Sequence, residues 1–315
     1  MQLQHIREAA PDPQRRRLLN RALWITVGGN LLLALGKGLV ATLTSSVALY
    51  ADAANSASDL FYSLLMVLGL SLAQRPPDIT HPQGHGRFEP LSGLIVAAAM
   101  TLAGFEAGRA AVVRWIEGGA AIAVGAPTIT LLLSAGVKVT MYQLVHRIAR
   151  KTGSSTLDAA AKDNFADVLT SSAALVGTLG SRFVHPITDA LAGVLVALWI
   201  LRSALEVWRE NLKYLTGGGA PPELQARIVN LAWSVKGVTK VHQVITEYVG
   251  PNLIADLHIN VDGNLPLFEA HAISDAVQGR VLELDEIERV YVHVEPCDVI
   301  PRREEPDCKN APGIE

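Results

Sequence analysis

Residues 48–73, ALYADAANSASDLFYSLLMVLGLSLA, decide the fold. A helix needs roughly 20 predominantly apolar residues to cross about 30 Å of hydrocarbon, and this run supplies them. It also carries Asp52, Asn55 and Asp59. An ionised carboxylate in the membrane costs at least about 2.5 kcal/mol and is characteristic of ion pathways. Acidic groups kept in such a segment mark a span with work to do, not a plain anchor.

Five further apolar segments are also long enough to span: 22–43, 88–114, 121–146, 164–184 and 187–208. The composition agrees. Half of the 315 residues are hydrophobic and 18% are charged, against about 25% charged in a soluble domain, and the mean hydropathy is +0.27. This rules out a disordered chain, and a net charge of −3 argues against a nucleic-acid partner held by bulk electrostatics. Two cysteines, Cys297 and Cys308, exclude a disulfide scaffold and a Cys-rich zinc fold. The expectation is a six-helix membrane protein embedded in a lipid bilayer.

Basic residues orient it. Arg15, Arg16, Arg17 and Arg21 precede the first span, and Arg75 and Arg87 flank the loop after the second. Arg147, Arg150 and Lys151 follow the fourth, while Arg209 and Lys213 follow the sixth. The opposite loops are short and charge-poor, with Arg114 and Arg182 at their edges. The positive-inside rule then places both termini in the cytoplasm.

The run Thr216-Gly217-Gly218-Gly219-Ala220-Pro221-Pro222 reads as a linker. Beyond it, 222–233 is helical in pattern, 241–248 and 253–261 read as strands, 268–284 as an amphipathic helix and 290–295 as a third strand. Leu257, Ile259 and Val261 alternate with Asp256, His258 and Asn260, the period of a half-buried sheet. The order α-β-β-α-β predicts a small α+β, ferredoxin-like domain. The divisions are 1–20 (N-terminal segment), 21–210 (transmembrane domain), 211–222 (linker), 223–297 (soluble domain) and 298–315 (polar tail).

Asn55 and Asp59 in the second segment, and Asp163 and Asp167 at the start of the fifth, are each spaced by four, which stacks each pair on one helical face. Together they offer four oxygen-bearing ligands to a cation. The plainer alternative is that Asp163 and Asp167 cap the fifth helix. Asp52 either supports this group or is a satisfied polar residue nearer the outer surface, and the second reading is preferred. The loop Asp78 to Glu89 holds Asp78, His81 and His85, a plausible second metal site. The soluble domain adds His242, His258, His271, His293 and Glu295. Cys297 reads as an extra ligand or, preferably, an ordinary thiol.

The stretch Ser46 to Asp59, the loop His81-Pro82-Gln83-Gly84-His85-Gly86-Arg87-Phe88-Glu89 and the run Asp163-Asn164-Phe165-Ala166-Asp167 resemble the cation diffusion facilitator family of divalent-metal/proton antiporters. The resemblance spans about residues 20–297. It implies a homodimeric six-helix transporter with Asn55, Asp59, Asp163 and Asp167 at the transport site. It further implies Asp78, His81 and His85 as the loop zinc site of some bacterial members, and His242, His258, His271, His293 and Glu295 as ligands of the cytoplasmic module. Arg87 falls on a basic position that ties the dimer halves in some members, but Leu215-Thr216-Gly217 lacks the usual acidic counterpart.

Zinc-transporting members commonly place histidine in the fifth-helix pair; here the set is all oxygen. Carboxylate and carbonyl ligands suit manganese, with Fe²⁺ next, whereas imidazole suits zinc. The resemblance therefore points to the manganese-exporting branch in a bacterial inner (plasma) membrane. The same metals are expected as regulatory ligands, and no organic cofactor. Three aspartates in an apolar bundle cannot all stay ionised without a cation, so metal efflux is expected to exchange for protons. Two other readings are a metal sensor or assembly scaffold that has lost transport, and an intramembrane aspartyl protease. The protease would want an aspartate in a Gly-rich turn, which neither Asp59 nor Asp167 occupies.

Overall fold

The computed structural model describes residues 12–44, 47–117, 126–183 and 187–297. Ser46, the start of the fourth predicted span (121–125), the end of the fifth at 184 and the polar tail from 298 lie outside them. The chain divides into two compact units between Leu212 and Lys213.

Among the described residues the first unit holds six long helices, the last running three residues past its boundary: α1 (Pro13–Thr44), α2 (Val47–Ala73), α3 (Phe88–Ile116), α4 (Ala126–Thr152), α5 (Ser155–Phe183) and α6 (Ile187–Leu215). Among the described residues, four stretches are long and apolar enough to cross a membrane: α1, Asp52–Ala73 of α2, α3, and Ala190–Leu215 of α6. Helix α4 carries the buried Lys138, and α5 carries Asp158, Lys162, Asp163 and Asp167 in its first half.

Large apolar residues such as Trp24, Leu32, Leu68 and Phe105 face outward, as a lipid-facing surface requires. The interior mixes large and small residues, with Met66, Met100 and Val207 set among Ala22, Ala97 and Ala204. Small residues let helices approach closely where lipid offers no hydrophobic drive between them. A side chain at Gly93 of α3 would collide with Asn211 of α6.

The fifth helix begins about two turns earlier than its hydropathy predicts. Gly153, at φ +64°, takes the left-handed conformation that ends α4. The Ser154 hydroxyl then accepts the Leu157 N–H at 3.3 Å and caps α5. Asp163 and Asp167 consequently lie inside the helix, so the capping alternative is discarded. At the same end of the bundle, Arg15 of α1 reaches Glu89 Oε2 of α3 at 3.3 Å. Its Nε donates to the Thr152 carbonyl at 3.1 Å.

The second unit contains α7 (Pro222–Trp233), β1 (Lys240–Val249), β2 (Asn252–Asp262), α8 (Leu267–Val281) and β3 (Ile287–Cys297). The sheet order is β1-β2-β3. Strand β1 is antiparallel to β2, and β2 is parallel to β3, with α8 as the crossover. Leu253, Ala255, Leu257 and Ile259 are fully buried against Ile228, Val277 and Val281. The period of two thereby turns Asp256, His258 and Asn260 to the opposite face.

Candidate metal sites

In the helical unit the acidic groups meet a cation that the sequence reading passed over. Lys138 of α4 has a side chain only 5% exposed. Its ammonium donates a hydrogen bond to Asp59 Oδ2 of α2 at 2.9 Å and lies 2.5 Å from Asp167 Oδ2 of α5. Such burial of a charge is tolerable only with partners of opposite sign. A metal ion held by the same two carboxylates would take over the charge compensation that the ammonium now supplies. The two therefore compete for one role. The signal was legible: a lysine inside the run Leu131 to Val145 is as costly in a membrane as an aspartate.

Of the four expected transport ligands, Asp59 and Asp167 share Lys138. Asp163 borders a small cavity together with Asp59. Asn55 is exposed and stands outside this arrangement. Asp52 accepts a hydrogen bond from Lys37 of α1 at 2.8 Å, which satisfies it as the preferred reading expected. With all three carboxylates ionised, one ammonium leaves two negative charges unbalanced, the number that one divalent cation neutralises.

The loop between α2 and α3 gathers Asp78, His81 and His85, whose potential ligand atoms all lie within 4.8 Å of one another. His85 is buried, and its Nδ1 donates to the Pro76 carbonyl at 3.1 Å. This leaves Nε2 for a cation, 3.3 Å from Asp78 Oδ2. The Thr80 hydroxyl, at 2.6 Å, and then the His81 backbone N–H hold the Asp78 carboxyl down to about 2. Asp78 is thus an anion throughout the physiological range.

The sheet unit gathers His242, His258 and Glu295 within the same span. A β-bulge falls between Val241 and Gln243, and such an irregularity re-aims a side chain. His242 thereby points with His258 rather than away from it. His242 Nε2, His258 Nδ1 and His293 Nε2 lie 3.6, 3.4 and 3.5 Å from the Glu295 carboxylate. His271 is elsewhere, exposed on α8 and 3.6 Å from Asp275. Cys297 is not the free thiol the sequence suggested: it is disulfide-bonded. Its sulfur is 3.0 Å from the Thr239 hydroxyl oxygen and largely buried, so it is withdrawn from the histidine group.

Residues 23–216 match the model of the cation efflux transmembrane domain, and 220–297 match that of the cation efflux protein cytoplasmic domain. The chain belongs to the cation diffusion facilitator family. As a member it is a multi-span membrane transporter of metal cations and not an enzyme, which removes the protease reading. Similar relatives extend over nearly the whole chain. An uncharacterised transporter of Methanocaldococcus jannaschii is 36% identical over 90% of this chain and 100% of its own. The cation-efflux pump FieF of Cronobacter sakazakii is 30% identical over 91% and 95%. The manganese efflux system protein MneS of Bacillus subtilis is 28% identical over 87% and 94%.

Proposed function

We propose that this cation diffusion facilitator exports Mn²⁺ in exchange for protons by alternating access, with Fe²⁺ and then Zn²⁺ as lesser substrates. It does so as a homodimer in the plasma (bacterial inner) membrane, with both termini cytoplasmic. The observation that carries the reading is the group of three carboxylates around one buried ammonium on α2, α4 and α5. Asp59, Asp163 and Asp167 bind the cation, and Asn55 joins them when α2 presents it inward. All four donors are oxygen, which favours Mn²⁺ over softer ions. One relative bears a manganese-efflux name.

In this reading the metal ion takes the place of the Lys138 ammonium between Asp59 and Asp167. When the ion leaves on the far side, the ammonium returns. The two negative charges that Lys138 does not balance are met by protons for the return step, because isolated carboxylates are too costly in an apolar bundle. The groups Asp78/His81/His85 and His242/His258/Glu295, with His293 alongside and His271 apart, are regulatory metal sites that bind the same ions from the cytoplasm. The transport region is 21–210, the linker 211–222 and the regulatory domain 223–297, between the terminal segments 1–20 and 298–315.

The test is uptake of Mn²⁺, Fe²⁺, Zn²⁺ and Co²⁺ into proteoliposomes containing a trapped pH dye. The expected outcome is fastest Mn²⁺ movement with a matching proton signal of opposite direction. Metal-dependent closure of the dimer without vesicle flux would instead favour the sensor or scaffold reading.

A further inference from the structure

The cavity beside Asp59 and Asp163 has a volume of about 20 Å³, room for one water molecule or one ion. Its walls include Thr26 and Asn30 of α1, Asp59 and Ser63 of α2, and Asp163 and Asn164 of α5. Asn30 and Asn164 are only 3% and 2% exposed.

Hydrogen bonds fix the orientation of both amides. Asn30 Nδ2 donates to Ser63 Oγ at 2.6 Å. The Ser63 hydroxyl proton is itself given to the Asp59 backbone carbonyl at 2.7 Å, so Ser63 can only accept from Asn30. Asn164 Nδ2 donates to the Ala160 carbonyl at 2.8 Å, which can do nothing but accept. Each amide oxygen is therefore an acceptor, and among the described residues neither Asn30 Oδ1 nor Asn164 Oδ1 has a donor. Buried acceptors without donors are rare in folded proteins and call for a specific explanation.

Two amide oxygens without donors and two carboxylates, all on residues that line one ion-sized cavity, offer an oxygen-only donor set. That chemistry suits a hard divalent cation such as Mn²⁺ or Mg²⁺. Lys138 engages Asp59 through Oδ2, so Oδ1 can serve a cation in the cavity without first displacing the ammonium. We infer that Asn30, Asn164, Asp59 and Asp163 form a holding site for the divalent cation, adjacent to the Asp59–Asp167 pair that Lys138 bridges. The inference rests on the proposed transport role. The cavity lies on the side of Asp59 toward the C-terminal end of α2, the cytoplasmic side in the proposed orientation. A cation held here waits beside Lys138 before exchanging with it.

The experiment is Mn²⁺ uptake by the full chain in proteoliposomes, with half-saturating concentration and turnover measured separately. Asn30→Ala and Asn164→Ala should each raise the half-saturating Mn²⁺ concentration about tenfold, with turnover changed by less than about threefold. Asn30→Asp and Asn164→Asp keep the oxygen and lose the amide N–H. They should restore half-saturation to within about threefold of the unaltered chain, or below it. If the amides act only through their N–H bonds, Ala and Asp variants behave alike, and the inference falls. If the cavity holds only water, the Ala variants match the unaltered chain, and it falls again. Should the Ala variants not reach the vesicles, the Asp variants decide: half-saturation at or below the unaltered value supports the site, and a tenfold rise overturns it. Asp59→Ala separates the two levels of the argument. An inactive Asp59→Ala with ordinary Asn variants removes only the holding site, whereas an active Asp59→Ala removes the transport reading beneath it.

Discussion

In the membrane unit Asp59 and Asp167 share one buried ammonium, whereas in the sheet unit Glu295 lies among three imidazoles on an open strand face. Both arrangements suit a divalent cation, but they differ in what the cation must do to enter. Water reaches the half-buried group, and exposed ion pairs are worth only about 0–1 kcal/mol. Metal can bind there without removing a fixed charge. In the bundle, leaving one partner of a buried pair alone costs about 3–5 kcal/mol. In the proposed transport cycle a metal ion enters between Asp59 and Asp167 by exchange with Lys138, which pairs with both. On the proposed function, selectivity and coupling fall to the interior group, and the surface groups serve to report cytoplasmic metal.

The comparison can be broken most sharply at Asp167. Asp167→Ala deletes a proposed ligand and strands Lys138, so initial Mn²⁺ flux should fall about a hundredfold or more; flux within threefold would end the distinction. Lys138→Met should act in the opposite sense on affinity. Without the competing ammonium, half-saturating Mn²⁺ should drop about tenfold while turnover slows, and Lys138→Arg should stay near the unaltered value. Equilibrium Mn²⁺ titration checks this, and a weaker affinity for Lys138→Met would reduce Lys138 to a structural role. Asp163→His introduces an imidazole and should shift the Zn²⁺/Mn²⁺ uptake ratio about tenfold toward zinc. An unchanged ratio would separate ligand type from selectivity. The smallest effect is expected on the sheet unit. Glu295→Ala should weaken Zn²⁺ binding in calorimetric titration of the full chain by about three- to tenfold, with turnover at saturating Mn²⁺ changed less than about twofold. A collapse of turnover would make that group part of the pathway.

Much of the architecture was legible because periodicity and hydropathy are local properties. The helix at Pro222–Trp233 and the alternation along β2 stand where the pattern put them. The start of α5 did not, because residues 155–163 are too polar for a hydropathy argument; only the Gly153 turn and the Ser154 cap reveal it. The interior carboxylates were readable from their expense, but their counter-cation was missed by searching apolar segments for acids alone. Asn30 and Asn164 gave no sequence signal, since an amide in a helix becomes notable only when its oxygen is seen to lack a donor. In the sheet unit, counting histidines pointed to a cluster but not to its geometry. His271 sits on α8 apart from the group, and the bulge that aims His242 is invisible before the register is known.

The central claim is that the intramembrane carboxylates carry the cation. The most direct measurement is the initial rate of Mn²⁺ uptake into proteoliposomes bearing Asp59→Ala, with its incorporation matched to that of the unaltered chain. The rate should fall to that of protein-free vesicles. A rate within twofold of the unaltered chain would contradict the claim.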